Sequence, residues 1–304
     1  MAMTITRSVR QAAVLSALLL SACGAAAAQP GAAPRILFEE KFEDTDFASR
    51  GWYDSSRKAI TLSTAEHIPG SARSYEAHFK PGDVGVPTPA RHGFEETDSV
   101  YISFWVKFSP GWVGSGKPYH PHFMHLMTNR NRPSAGPASS YLTTYLEDIA
   151  GRPQMGIQDS QNITANTEGE DRAVAGCNGD WDGYGAGDCY RAGDGRRNGK
   201  MWRAKQRYFQ DTPGPYYKGD WHRVEAFFKL NTISAEGRAN KDGVVQYWFD
   251  GAAVIDVHDA VLRTGKHPQM KFNQFLLTPY IGPGSPVDQT VWVDDLLLAT
   301  ARPQ

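Results

Sequence analysis

The chain has little cysteine, almost no net charge and no apolar run of membrane-spanning length. It holds three cysteines in 304 residues, and its 32 Lys and Arg balance 33 Asp and Glu to a formal charge of −1. Such a balance gives no whole-molecule field that would collect nucleic acid or an anionic membrane surface, so neither is expected as a partner. The longest apolar run, Ala12 to Leu20, falls short of the roughly 20 residues a membrane helix needs. Long amphipathic helical patterning is missing too, and with it an all-α architecture. Aromatics are plentiful instead, with eight Trp and thirteen Tyr. They suit a half-buried sheet face and also the stacking of sugar rings.

The N-terminus reads as an address. Arg7 and Arg10 precede the apolar run, in the order of an export signal. Leu20-Ser21-Ala22-Cys23 resembles the bacterial lipobox, which implies lipidation of Cys23, removal of residues 1–22 and a membrane-anchored lipoprotein facing the periplasm or cell surface. Ordinary cleavage after Ala26 or Ala28, giving a secreted protein, is the alternative. Residues 23–34 are rich in Ala, Gly and Pro and form a flexible tether. Residues 35–304 then make one domain, large enough for a well-buried core. In an oxidising compartment Cys177 and Cys189 pair as a disulfide; a metal site is the lesser reading, since no second cysteine pair accompanies them.

Period-two segments recur through this domain. They run from Ile36 to Phe42, Ser74 to Phe79, Tyr101 to Phe108, His122 to Thr128, Tyr141 to Leu146 and Gln154 to Gln158. Further ones run from Trp221 to Leu230, Val244 to Phe249, Ala253 to Val257, Phe275 to Tyr280 and Thr290 to Ala299. Turn chemistry separates them, as at Pro81-Gly82-Asp83, Lys241-Asp242-Gly243 and the hairpin signal Asp250-Gly251. The expected fold is all-β, a two-sheet jelly-roll sandwich. Residues 165–217 break the rhythm and are expected to form a long loop insertion pinned by the disulfide.

Phe42-Glu43-Asp44 with Gly51-Trp52, and Trp292-Val293-Asp294-Asp295-Leu296, resemble the ends of jelly-roll carbohydrate-binding modules. That resemblance implies a structural calcium held by Glu43 and by Asp294 or Asp295. The strand Tyr101 to Phe108, Trp221-His222-Arg223-Val224-Glu225, Phe227-Phe228-Lys229 and Trp248-Phe249-Asp250-Gly251 resemble the concanavalin A-like polysaccharide lyases. Alginate lyases of that fold carry Arg-x-Glu-Leu, Gln-Ile-His and Tyr-Phe-Lys-Ala-Gly strands. The counterparts here are Arg73-Ser74-Tyr75-Glu76-Ala77, Phe123-Met124-His125 and an echo at Phe227-Phe228-Lys229. The Glu-x-Asp-x-x-Glu strand of hydrolases with this architecture is missing. The resemblance implies β-elimination of an acidic, uronate-containing polysaccharide by a monomer; a noncatalytic glycan-binding protein is the alternative, and a glycoside hydrolase a more distant one.

Such an elimination needs a neutralised uronate carboxylate, a base for its C5 proton and an acid for the leaving oxygen. His120, His122 and His125, with Arg130, form the densest supply. In an unbroken strand His120 and His122 share one face, and His125 the other with Phe123 and Met127, so the three cannot join at a metal unless the strand breaks, as Pro121 permits. Tyr145 is the candidate acid or base, and Gln158 with Arg130 the candidate neutralisers. Tyr141 is expected to face as Tyr145 does, and Gln154 as Gln158 does. Lys229 completes the candidates, although a cross-strand charge ladder with Arg223 and Glu225 also accounts for it.

Overall fold

The computed structural model describes residues 33–128, 141–159, 190–192, 195–197 and 199–304, with side chains for all of these but 159, 190–192, 195–197 and 199. The export signal, Cys23, Arg130, Cys177 and Cys189 lie outside the described residues.

Alternation decides which side chains go inward. On β6 (Ser99–Phe108) Val100, Ile102, Phe104, Val106 and Phe108 are buried in the core, while Trp105 and Lys107 on the opposite face are half-exposed. The same alternation on β13 (His222–Lys229) buries Val224, Ala226 and Phe228. Each such aromatic or aliphatic side chain contributes about 1.5–3 kcal/mol when taken from water.

Two antiparallel sheets share this core. The first runs β15 (Ala252–Ala260), β14 (Gly243–Phe249), β13, β6, β17 (Gln289–Ala299), β4 (Ser74–Phe79) and β3 (Thr61–Ser63), with β1 (Ile36–Glu40) also on β17. The second runs β12 (Gly199–Arg203), β9 (Arg152–Asp159), β8 (Leu142–Ile149), β7 (His122–Thr128), β16 (Phe272–Tyr280), β5 (Ala90–Thr97) and β2 (Trp52–Tyr53). Its core face carries Phe123, Met124, Leu126, Leu142, Met155, Phe272 and Phe275. One turn of 3-10 helix, Ala48–Arg50, is the helix present among the described residues. The fold is a two-sheet jelly-roll sandwich.

The expected structureless insertion is corrected in its described part. Tyr190–Ala192 and Gly195–Arg197 pair as a hairpin, and β12 extends the second sheet, Arg203 opposite Gln154 and Met201 opposite Gly156. Aromatic and cationic residues there mask a short strand whose alternation is set by an edge position rather than by a core.

Candidate active site

The second sheet turns its other face away from the core, and polar residues line it. Across the strands this face presents Arg203 on β12, Gln154 and Gln158 on β9, and Thr143, Tyr145 and Glu147 on β8. His122 and His125 follow on β7, Gln274 on β16 and Arg91 on β5.

The histidines meet here for a reason the strand alternation hides. Between β7 and β8, His122 opposes Glu147 and Met124 opposes Leu146, so two steps on β7 match one on β8. Such a bulge inserts one residue and reverses the facing of everything beyond it. Phe123 and Met124 both enter the core, and His125 emerges on the same face as His122. The expectation that they face apart is corrected, and the break sits at Phe123 rather than at Pro121.

Ring centroids of His122 and His125 lie 5.6 Å apart, with Tyr145 4.4 Å from the first and 4.9 Å from the second. The Tyr145 hydroxyl donates to Gln158 Oε1. His122 Nδ1 lies against Glu147 Oε1, while Gln154 donates to Glu147 Oε2 and Arg203 Nε donates to Gln154 Oε1 at 2.7 Å. The second flank is equally connected. Arg91 donates to Gln274 Oε1 at 3.1 Å, its Nε pairs with Asp54 at 3.0 Å, and Gln274 donates to the Tyr53 hydroxyl. His120 packs 4.2 Å from His122 and 5.4 Å from Tyr280.

Burial sets the protonation of two of these rings, His125 and His120. It holds His125 well below the ordinary histidine value, helped by the charges of His122 and Arg91. The same cause, with His122 again second, brings His120 down to about 4. Both are neutral imidazoles at neutral pH, able to accept a proton.

His122, His125, Tyr145 and Gln158 are therefore brought together. Lys229 is not: it is exposed on the first sheet, paired with Ser99 and Val244, which removes it from the site. Arg73-Ser74-Tyr75-Glu76-Ala77 also belongs to the first sheet, and Arg73 donates to the Glu43 carbonyl. Tyr141 packs into the core 4.3 Å from His267 instead of facing with Tyr145. Gln154 does face as Gln158 does. Arg91, Glu147 and Gln274 join the site without a sequence signal. The segment Ala90–Thr97 has polar residues and a glycine where alternation would need apolar ones, so its strand was not visible.

The three expected calcium ligands, Glu43, Asp294 and Asp295, line one pocket. A second bulge, between Asp294 and Leu297 on β17, sets Asp294 and Asp295 between the stretches of that strand that pair with β4, ending at Val293, and with β1, starting at Leu296. Asp295 is paired with Lys41. Glu43 Oε1, Asp294 Oδ1 and the Arg73 carbonyl, however, surround a single hydroxyl, Ser71 Oγ, at 2.9, 3.4 and 2.7 Å. Glu43 Oε1 also accepts from the Ala72 N–H at 3.1 Å and Asp294 Oδ1 from the Asp295 N–H at 2.8 Å, so these carboxylate oxygens converge on one point with donors of their own. Burial also raises the Asp294 carboxyl above its usual range. Two carboxylates, a carbonyl and a hydroxyl are hard oxygens of the kind calcium takes, and Asp295, paired with Lys41, lines the same pocket.

No family model and no curated protein matches the chain. Among solved structures, an alginate lyase from a Chlorella virus superposes with a TM-score of 0.51 at 12% identity, covering 88% of this chain and 100% of that one. The marine alginate lyase of Aplysia kurodai gives 0.50 at 14% identity, covering 88% and 98%. The endo-β-1,4-glucuronan lyase of the fungus Trichoderma reesei gives 0.47 at 15%, covering 83% and 92%. At these identities the likeness is one of fold: the chain has the jelly-roll sandwich found in the two alginate lyases.

Proposed function

We propose that this protein is a polysaccharide lyase that cleaves a uronate-containing glycan by β-elimination. The observation that carries the reading is the meeting of His125, His122, Tyr145 and Gln158 on one sheet face, 4.4 to 5.6 Å between rings, with the Tyr145 hydroxyl on Gln158. The structural neighbours, two of them alginate lyases, support it through shared fold.

Gln158 and Arg91 are the donors for the uronate carboxylate, which makes the C5 proton acidic. Neutral His125 takes that proton. The electron pair forms the C4–C5 double bond, the C4–O bond breaks, and the Tyr145 hydroxyl protonates the departing oxygen. The proton on His125 then returns to the Tyr145 phenolate, so both groups regain their starting states. Glu147 holds His122 beside them and acts as a positioning residue.

A calcium ion at Glu43 and Asp294 is proposed as a structural clamp between the segment after β1 and the last strand, with no part in the chemistry. Export as a lipoprotein through Cys23 is the location proposed, with an acidic polysaccharide as partner. The test of the activity is the ultraviolet absorbance of the unsaturated uronate, which elimination forms and hydrolysis does not.

A further inference from the structure

Resting on the lyase reading, we infer that Arg203, at the outer edge of the second sheet, is a positioning residue for His122. It acts through Gln154 and Glu147, across strand spacings that add to about 14 Å.

Register puts the four residues in one line. Arg203 on β12 opposes Gln154 on β9, Gln154 opposes Glu147 on β8, and Glu147 opposes His122 on β7. Residues directly opposite on adjacent strands stand on one face, so their side chains can join in sequence. Arg203 Nε donates to Gln154 Oε1 at 2.7 Å, Gln154 Nε2 donates to Glu147 Oε2, and Glu147 Oε1 lies against His122 Nδ1. The edge strand is fixed at this point, because the Ala204 N–H donates to the Pro153 carbonyl at 2.9 Å just beyond Arg203.

Each link settles the next by donor and acceptor chemistry. A guanidinium only donates, so Arg203 takes the oxygen end of the Gln154 amide and turns its nitrogen end toward Glu147. Gln154 and Glu147 are both buried, where a polar atom left without a partner is costly. One oxygen of Glu147 is occupied by the amide and the other meets His122. That contact places the imidazole proton on Nδ1 and, in the neutral ring, the lone pair on Nε2. His122 packs 5.6 Å from His125 and 4.4 Å from Tyr145, centroid to centroid, so its tautomer and tilt shape the space in which base and acid act.

Without Arg203 the Gln154 amide loses the donor that orients it. Its oxygen can then turn toward Glu147, where two acceptors meet and the carboxylate loses its donor. The hold on the His122 ring loosens with it. A shift of about 1 Å in a catalytic constellation is felt in turnover. Affinity for the glycan rests on other contacts and stays.

The experiment replaces Arg203 in two ways. Arg203→Met removes the donor at similar length. Arg203→Gln sets an amide N–H where Nε stands and removes the charge. With a uronate glycan, the expected kcat of Arg203→Met is about three- to tenfold lower at a KM within about twofold, and Arg203→Gln regains most of that loss. In a Glu147→Gln background Arg203→Met should lower kcat less than about twofold further, since residues in one hydrogen-bonded chain are not additive. The Nδ1–H proton resonance of His122, identified by its absence from His122→Asn, should move in Arg203→Met and keep its native position in Arg203→Gln. A raised KM at unchanged kcat in both variants makes Arg203 a binder of the substrate carboxylate and overturns the inference. Native rates and a native resonance in Arg203→Met overturn it too. Absence of product from the native protein, with the resonance still moved by Arg203→Met, overturns the lyase reading and leaves the positioning of His122 standing. Absence of product with an unmoved resonance overturns both.

Discussion

His122 and His125 stand three residues apart on β7, yet their rings lie 5.6 Å apart on one face of the sheet. The single inserted residue at Phe123 is what brings them together, and it anchors itself by burying both Phe123 and Met124. The site thus depends on a local irregularity that the core pays for.

Tyr145→Phe removes one hydroxyl and keeps the ring that His122 and His125 pack against. Turnover is expected to fall about 10²–10⁴-fold, the usual worth of a positioned acid or base, with the melting temperature nearly unchanged. Product formation and thermal unfolding on the same preparation check this.

Glu147→Gln keeps the shape and the contact with Gln154 but takes the charge away from His122. As a positioning change it should lower kcat about tenfold or more while leaving KM within about twofold, and it should alter the pH–rate profile. A matched loss in KM alone would mean that Glu147 only binds substrate.

Asp148 is the neighbour of Glu147 on the opposite, core-facing side of β8. It lines a cavity of about 170 Å³ with Arg207, Lys218 and Asp211, and its Oδ1 is buried without a partner among the described residues. Burial raises its pKa from 3.8 to about 7. Between these two values the folded protein keeps a proton that the unfolded chain releases, so stability falls as pH rises from about 4 to about 7 and then levels. Asp148→Asn should remove that slope and raise stability by about 1 kcal/mol or more near pH 8, read from denaturant midpoints at about pH 5 and about pH 8.

Calcium at Glu43 and Asp294 should stabilise the native state by mass action. Saturating calcium is expected to raise the melting temperature by several degrees over a chelator-treated sample. Asp294→Asn should abolish the rise, and Asp295→Asn should leave it, because Asp295 belongs to Lys41.

Much of this molecule was written plainly in its residues. β6 and β13 send alternate residues into the core because one face of each is core, and the hairpin at Asp250-Gly251 turns where its φ-positive pair allows. His122, His125, Tyr145 and Gln158 were legible as chemistry, but their facing was not, since a bulge leaves no mark in a period-two pattern. Arg91 was missed because β5 is a polar strand, defined by its pairing with β16 rather than by its own alternation. Lys229 misled for the opposite reason: a lysine on a regular strand looks the same whichever sheet carries it. Tyr141 misled likewise, because it lies before β8 begins and packs by the loop's geometry.

The most direct test is the ultraviolet absorbance of product from the mature protein and its His125→Ala variant, run on the same polymers with binding followed by affinity electrophoresis. The account predicts absorbance from at least one uronate-containing glycan, lost in His125→Ala while binding of that glycan persists. Binding without absorbance in the native protein would contradict it and make this sheet face a noncatalytic glycan-binding surface.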